Sequence, residues 1–190
     1  MLKLVVGISG TIGSGKKTVR EILMKKYKCY YVTLSNVIRG ELERKKPNFN
    51  RAVLQDMGNE MRRSYGTHIL ALLAIEYLPR DKDMIIIDGI RNPGEINYLR
   101  EKFGKNFVLI GIDAPQEIRF ERVKKRGQYN DPKNFEEFVV LDERDQGKNE
   151  PEWGQQVRKC LEQADFFIIN DGSIEQLEQK VNEIMSKIMV

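Results

Sequence analysis

Cysteine is scarce in this 190-residue chain. Only Cys29 and Cys160 occur, far apart and without the short spacing of a metal site. Nothing suggests export, so reduced, partly buried thiols are expected rather than a disulfide. Histidine is scarcer: His68 is the only one, with neither a nucleophile nor a metal set around it, and it is given no role. Long hydrophobic runs are missing too. Met1 to Ser9 is apolar for a few residues and runs into a Gly-rich turn, the length of a strand and short of a signal peptide or membrane span. A cytoplasmic protein without a membrane partner is expected. No charge of one sign dominates, since 32 basic and 28 acidic groups leave +4. That balance suits a phosphate-bearing small ligand and falls short of the basic surface of a nucleic-acid binder.

The chain is otherwise ordinary for a globular protein, 41% hydrophobic and 32% charged, and one domain over residues 1–190 is expected. Five short apolar runs recur: Leu4 to Ile8, Tyr30 to Leu34, Met84 to Ile87, Phe107 to Ile112 and Phe166 to Ile169. They are continuous rather than alternating, which marks strands covered on both faces. Charged stretches of helical period, such as Thr18 to Lys26 and Pro93 to Phe103, lie between them. The pattern predicts an α/β fold with a five-stranded parallel sheet and helices on both faces.

Two insertions break the rhythm. One, within residues 35–80, reads as helices over Val37 to Arg44, Arg51 to Ser64 and Thr67 to Tyr77. The other, within 115–155, belongs to a long helical segment from Gln116 to Gln163, broken by polar stretches at Gly127 to Asn134 and Gln146 to Gly154. Connections this long commonly form lids and substrate caps. A last helix from Ser173, its N-cap, sets Ile174, Leu177, Val181, Ile184 and Ile188 on one face.

The strongest signal is Gly10-Thr11-Ile12-Gly13-Ser14-Gly15-Lys16-Lys17-Thr18, after a strand and opening a helix. Glycines let the backbone turn with positive φ and close its N–H groups around phosphate oxygens. The helix N-terminus adds positive potential there. Lys16 supplies a mobile charge for the β- and γ-phosphates of ATP. A hydroxyl normally follows the lysine directly and ligates Mg²⁺. Lys17 holds that place and cannot ligate a metal, so Thr18 is the candidate.

At this motif the sequence resembles the nucleoside monophosphate kinase branch of the P-loop proteins. More of it is similar to the dephospho-CoA kinase-like group, and most closely to the P-loop domain fused to some deoxycytidylate deaminases. The likeness runs through Leu34-Ser35-Asn36-Val37-Ile38-Arg39, Leu54 to Arg62, Ile87-Asp88-Gly89-Ile90-Arg91-Asn92-Pro93-Gly94-Glu95, Arg119 to Arg126 and Ala164 to Asn170. No deaminase zinc motif is present. The resemblance implies a three-layer P-loop fold with a helical acceptor-binding insertion (residues 35–80) and a mobile lid (115–155).

Further candidates follow. Asp88 closes an apolar strand, where a carboxylate faces the ligand crevice of an open sheet; it would organise Mg²⁺ or the attacking oxygen, although a turn aspartate is the plainer alternative. Arg91 would point at a phosphate in the same crevice. The resemblance assigns Arg39 to the acceptor's phosphate, a task that suits a guanidinium fork. In the resembling kinases the position of Asn36 is often aspartate; asparagine cannot act as a base but can orient an acceptor. Gln55, Asn59 and Arg62 share a helical face and could read a base or sugar. Arg119, Arg122 and Arg126 share another, matching a lid that clamps the transferring phosphate, with Arg144 a weaker member; a solvated basic face is the alternative. Asn170-Asp171-Gly172 resembles the adenine-side turn of these kinases. Trp153 is expected to pack in a small satellite core.

Together these features predict ATP- and Mg²⁺-dependent phosphoryl transfer to a small nucleotide-like acceptor, most simply a nucleoside or deoxynucleoside monophosphate. Two alternatives stay open: dephospho-CoA or another hydroxyl acceptor, and an ATP-binding sensor that hydrolyses slowly. RNA phosphorylation is a weaker third.

Overall fold

A computed structural model describes residues 4–45, 50–76, 78–79, 82–128 and 131–189. Strand β1 (Leu4–Gly10) runs into helix α1 (Lys16–Lys26), then β2 (Cys29–Thr33), α2 (Leu34–Lys45), α3 (Arg51–Tyr65) and α4 (Ile69–Ile75). There follow β3 (Met84–Ile90), α5 (Pro93–Phe103), a single 3-10 turn (Gly104–Asn106) and β4 (Phe107–Asp113). Helices α6 (Gln116–Arg126), α7 (Phe135–Gln146) and α8 (Val157–Glu162) precede β5 (Phe166–Ile169) and the closing α9 (Ile174–Ile188). The long helical segment expected from Gln116 is thus three helices. The helix expected to reach Tyr77 ends at Ile75, and Tyr77 itself lies outside the described residues.

The five strands form one parallel sheet in the order β2-β3-β1-β4-β5. Side chains alternate across a strand, so neighbouring residues feed opposite layers. Val5, Ile85, Ile87 and Leu109 meet α2, α4, α5 and α8 on one face. Val6, Ile8, Ile86, Ile110 and Ile112 meet α1 and α9 on the other. Each such fully buried aliphatic chain contributes roughly 1.5–3 kcal/mol. The central strands therefore have to be apolar throughout. The edge strands depart from the expectation of two covered faces: Tyr30 and Tyr31 on β2, and Phe167 and Ile169 on β5, are exposed, because an edge has a neighbour on one side only.

Two local features place the functional groups. β1 sits between β3 and β4, where crossovers leave in both directions, and its carboxyl end opens a crevice at that switch point. β3 carries an irregularity there: Ile8 pairs with Asp88 and Ser9 with Ile90, so Gly89, at φ 85°, is the extra residue. Asp88 lies inside the strand rather than just past its end, and the bulge re-aims the chain that follows it. Asn92 and Glu95 then start α5 with a reciprocal capping box.

Candidate active site

The crevice is a cleft of about 620 Å³ lined by the Gly-rich loop, α1, α2, α3, the end of β3, α6, the end of α7 and the start of α9. The loop is tightly held. Gly13 and Gly15 have φ of 80° and 105°, left-handed conformations that suit glycine. A Cβ on Gly15 would collide with Asn170 Nδ2, whose amide donates to Ser14 O at 2.8 Å. Thr11 Oγ1 donates to Asp113 Oδ1 at 2.5 Å, and Ile12 is inserted among Val123 and Phe138. Each end of the loop is thereby tied to a different element.

Lys16 reaches back over this loop, its ammonium donating to Gly10 O at 2.6 Å and Thr11 O at 2.7 Å. Burial pulls its pKa down from 10.5 to about 8. Arg91 and, less, Arg51 share in that lowering, and Asp145 and Asp88 oppose it. Thr18 and Asp88 line the same cleft. Asp88 Oδ2 accepts from Arg20 Nη1 at 2.8 Å, and that guanidinium lies over the Tyr31 ring at 4.4 Å. Lys17 is exposed beside Glu21, at 3.6 Å.

Facing the loop are arginines from three elements. Arg39 of α2, Arg51 and Arg62 of α3, and Arg91 after β3 all line the cleft. Arg62 is buried and ion-paired with Glu95 at 2.8 Å, but its Nη1 has no hydrogen-bond partner among the described residues. The same holds for Arg51 Nε and Arg91 Nε. Burial pulls Arg51 down to about 10, with Asp145 opposing, so it stays charged at neutral pH. From α6, Arg122, Lys125 and Arg126 complete the rim. Arg122 also carries a buried, unpartnered Nη1, and Arg126 is held by Asp131.

Several expected residues are placed elsewhere. Arg119 points beneath the loop: it donates to Ala114 O and Ile12 O at 2.8 and 3.1 Å and is paired with the buried Asp142. It does share a helical face with Arg122 and Arg126. That face begins under the phosphate loop and reaches the cleft only in its later turns. Arg144 bridges Asp56 and Glu150 at 2.7 and 2.8 Å and is a strut between α3 and the α7 end. Asn59 does not line the cleft; its Nδ2 donates to Glu150, and its Oδ1 is buried without a partner among the described residues. Asn36 is exposed, and its predecessor Ser35 lines the cleft instead. Gly10 offers Lys16 a carbonyl rather than lining the cleft, while Gly172 lies at its α9 end. Trp153 is 41% exposed and, among the described residues, joins none of the hydrophobic clusters, so the expected satellite packing is not seen. His68 precedes α4 and its ring lies 5.3 Å from Tyr98.

Residues 6–152 match the family described as AAA domain. A UPF0200 protein of Methanocaldococcus jannaschii is 32% identical over 189 residues, covering 98% of this chain and 91% of that one. The chain is an AAA-domain protein of the UPF0200 family. A UPF0200/UPF0201 protein of Archaeoglobus fulgidus is 33% identical over 187 residues, 97% of this chain and 55% of the relative. Among solved structures, TT1252 from Thermus thermophilus superposes with a TM-score of 0.59 at 20% identity, covering 98% of both chains. Shikimate kinase from Bacteroides thetaiotaomicron does so at 0.57 and 14%, over 98% of this chain and 99% of that one. At such identities the likeness is one of fold: a P-loop, kinase-like α/β architecture.

Sequence reading of this UPF0200 chain passed over Ser35, Arg51, Asp145 and Gln155, all of which line the cleft. Asp145 is the most consequential. It is 1% exposed, and its Oδ1 lies 3.3 Å from Arg91 Nε and 3.4 Å from Gln55 Nε2. The signal for it was the spacing of Asp142 and Asp145 behind Phe138, one inward face of α7 carrying two carboxylates. A carboxylate on a buried helical face needs a cation or a donor to meet it.

Proposed function

We propose that this protein is an ATP- and Mg²⁺-dependent phosphotransferase whose acceptor is a small, anionic, nucleotide-like molecule, most simply a nucleoside or deoxynucleoside monophosphate. One observation carries the reading. A single cleft holds the loop lysine together with arginines from α3 and the β3–α5 junction, each keeping one buried nitrogen without a hydrogen-bond partner among the described residues: Arg51 Nε, Arg62 Nη1 and Arg91 Nε, the last ion-paired with Asp145 at 3.3 Å. Buried donors of that kind are costly unless something satisfies them. An anionic acceptor lying opposite an ATP γ-phosphate does so.

The division of labour follows from position. The amides of Gly13 to Lys16 cradle the β-phosphate, and Lys16 swings from the Gly10 and Thr11 carbonyls to the β/γ oxygens. Thr18 and Asp88 fit Mg²⁺. Among the described residues there is no cluster of three or more His, Cys, Asp or Glu, and this metal binds in kinases through one or two protein oxygens plus phosphates and water. When bound, the ion neutralises charge on the transferring group. Arg20 holds one oxygen of Asp88, which orients the other toward the cleft. Arg39, Arg51 and Arg91 hold the acceptor's phosphate. Arg122, Lys125 and Arg126 act from the α6 lid, with Arg119 as a positioning residue beneath the loop. A monophosphate is already largely ionised at neutral pH (second pKa about 6) and needs no strong base to attack.

An acceptor panel tests the reading. With ATP and Mg²⁺, nucleoside and deoxynucleoside monophosphates are expected to be phosphorylated, and nucleosides and dephospho-CoA are not. Turnover of dephospho-CoA alone would move the assignment to a hydroxyl acceptor. Tight ATP binding with no product from any acceptor would make the protein a sensor.

A further inference from the structure

The acceptor side of the cleft holds unmet oxygens as well as unmet N–H groups. Gln55, Asp145 and Gln155 line the cleft with 3%, 1% and 4% of their surface exposed. Gln55 Oε1, Asp145 Oδ2 and Gln155 Oε1 are buried without a donor among the described residues. The orientation of Gln55 is set, because its Nε2 donates to Leu141 O at 3.3 Å and Asp145 Oδ1 at 3.4 Å. Its oxygen is therefore left over, beside a carboxylate whose second oxygen is also left over. Arg62 Nη1, an unmet donor, lies in the same cleft.

A phosphate cannot answer these oxygens. A phosphate monoester is largely a dianion at neutral pH and then presents only acceptors, and a carboxylate repels it. The arginines explain where an anion goes; Gln55 and Asp145 require something else of the same ligand. We infer that Gln55 and Asp145 form a specificity subsite that reads polarised hydrogens on the acceptor, the hydroxyls of a sugar diol or the amino and ring N–H groups of a base. This rests on the phosphotransferase reading and narrows it. The acceptor is an organic phosphate with hydrogen-bond donors near its anion, and inorganic phosphate and bare anions are excluded. Sites that hydrogen-bond a substrate's OH or NH discriminate strongly against analogues lacking it, because the protein groups are then left buried and unpaired. The subsite adjoins the anion-binding arginines, since Asp145 Oδ1 lies 3.3 Å from Arg91 Nε in the cleft that Lys16 also lines.

The test loads the protein with Mg²⁺ and a non-hydrolysable ATP analogue, then titrates acceptors by calorimetry. Matched pairs differ by one donor: ribo- against 2′-deoxyribonucleotide monophosphates for the sugar, cytidine against uridine monophosphate for the base, with inorganic phosphate as the bare anion. At least one pair is expected to differ by tenfold or more, with phosphate weaker than either member. Gln55→Leu and Asp145→Asn are each expected to shrink that ratio to within about twofold while affinity for the ATP analogue changes less than about threefold. Gln55→Asn, which keeps an amide at the site, is expected to retain more of the ratio than Gln55→Leu. Undiscriminated pairs, phosphate binding as tightly as the nucleotides, or a ratio untouched in both variants would overturn the inference. Failure of the wild type to take up the ATP analogue strikes the parent reading instead. Should Asp145→Asn fail to fold, as judged by its melting transition, the two Gln55 variants decide the matter.

Discussion

The two walls of the cleft are built by opposite means. On the loop wall most side chains and several carbonyls are already engaged: Thr11 with Asp113, Ser14 O with Asn170, Lys16 with two loop carbonyls, Ile12 O with Arg119; Ser14 Oγ is the exception, buried without a partner among the described residues. On the acceptor wall, Arg51, Gln55, Arg62, Arg91, Asp145 and Gln155 each keep a buried donor or acceptor unmet. A wall that satisfies itself is a rigid receptor for a ligand common to many proteins. A wall that does not is completed by one particular ligand. The turns of the first are specified by chain-local glycines, although Asp113, Arg119 and Asn170 brace them from far along the chain; the second is specified wholly by what tertiary packing brings together.

The largest effect that would break this contrast is at Lys16. Lys16→Ala removes the one mobile charge on the loop wall while leaving the glycine turns intact. Phosphoryl transfer is expected to fall by about 10²–10³-fold or more, the scale for losing a preorganised transition-state donor, measured as kcat on the best acceptor. Melting should be little changed or improved, since a desolvated ammonium is gone. Retained activity would mean the loop is only a helix start.

Next comes the anchoring of the loop wall. Arg119 and Asp142 are both buried and bidentately paired, and removing one partner leaves an uncompensated charge. Arg119→Met is expected to destabilise by about 3–5 kcal/mol, read from chemical denaturation. The exposed pair of Lys148 with Glu143, at 2.7 Å, is the control: Glu143→Gln should cost no more than about 1 kcal/mol. Equal costs would show that Arg119 is not the pin beneath the loop.

On the acceptor wall, Arg51→Ala should raise the acceptor KM by about 10–100-fold, the range for a lost charged hydrogen bond, with the KM for ATP within a factor of two. An equal rise in both would erase the distinction between the walls.

How much of this was legible follows the same division. The loop, α1 and the five strands announced themselves because each is a local pattern: glycine turns, an N-terminal lysine, and runs such as Met84 to Ile87 buried on both faces. Arg91 and Arg62 were legible as cations in plausible elements. Asp145 and Arg51 were not, because nothing near either in sequence says that α7 will dock its end against α3. Arg119 was misjudged for a related reason. Periodicity fixes which residues share a face, but not how far along that face the neighbouring element extends. Trp153 shows the limit of composition, since a large aromatic in a polar loop looks like an anchor until the loop is closed by Asn92 donating to Glu152 O and Gly154 O.

The smallest expected effect concerns protons at the loop wall, and its sign follows from burial. Lys16 titrates near 8 in the folded chain, below its ordinary 10.5. Below about pH 8 both folded and unfolded chains hold the proton, and the fold carries the full cost of desolvating it. Between about 8 and 10.5 the unfolded chain keeps a proton that the folded chain has shed, so this group's contribution to stability rises with pH across that window. ATP reverses the balance, because phosphate oxygens beside the amine favour the ammonium. Binding near pH 9 should therefore take up a fraction of a proton that binding near pH 6.5 does not. Calorimetry in two buffers of different ionisation enthalpy measures it directly, and Lys16→Met should abolish it. Uptake that persists in Lys16→Met would place the titrating group elsewhere, and the lysine would then be fully charged in the empty loop.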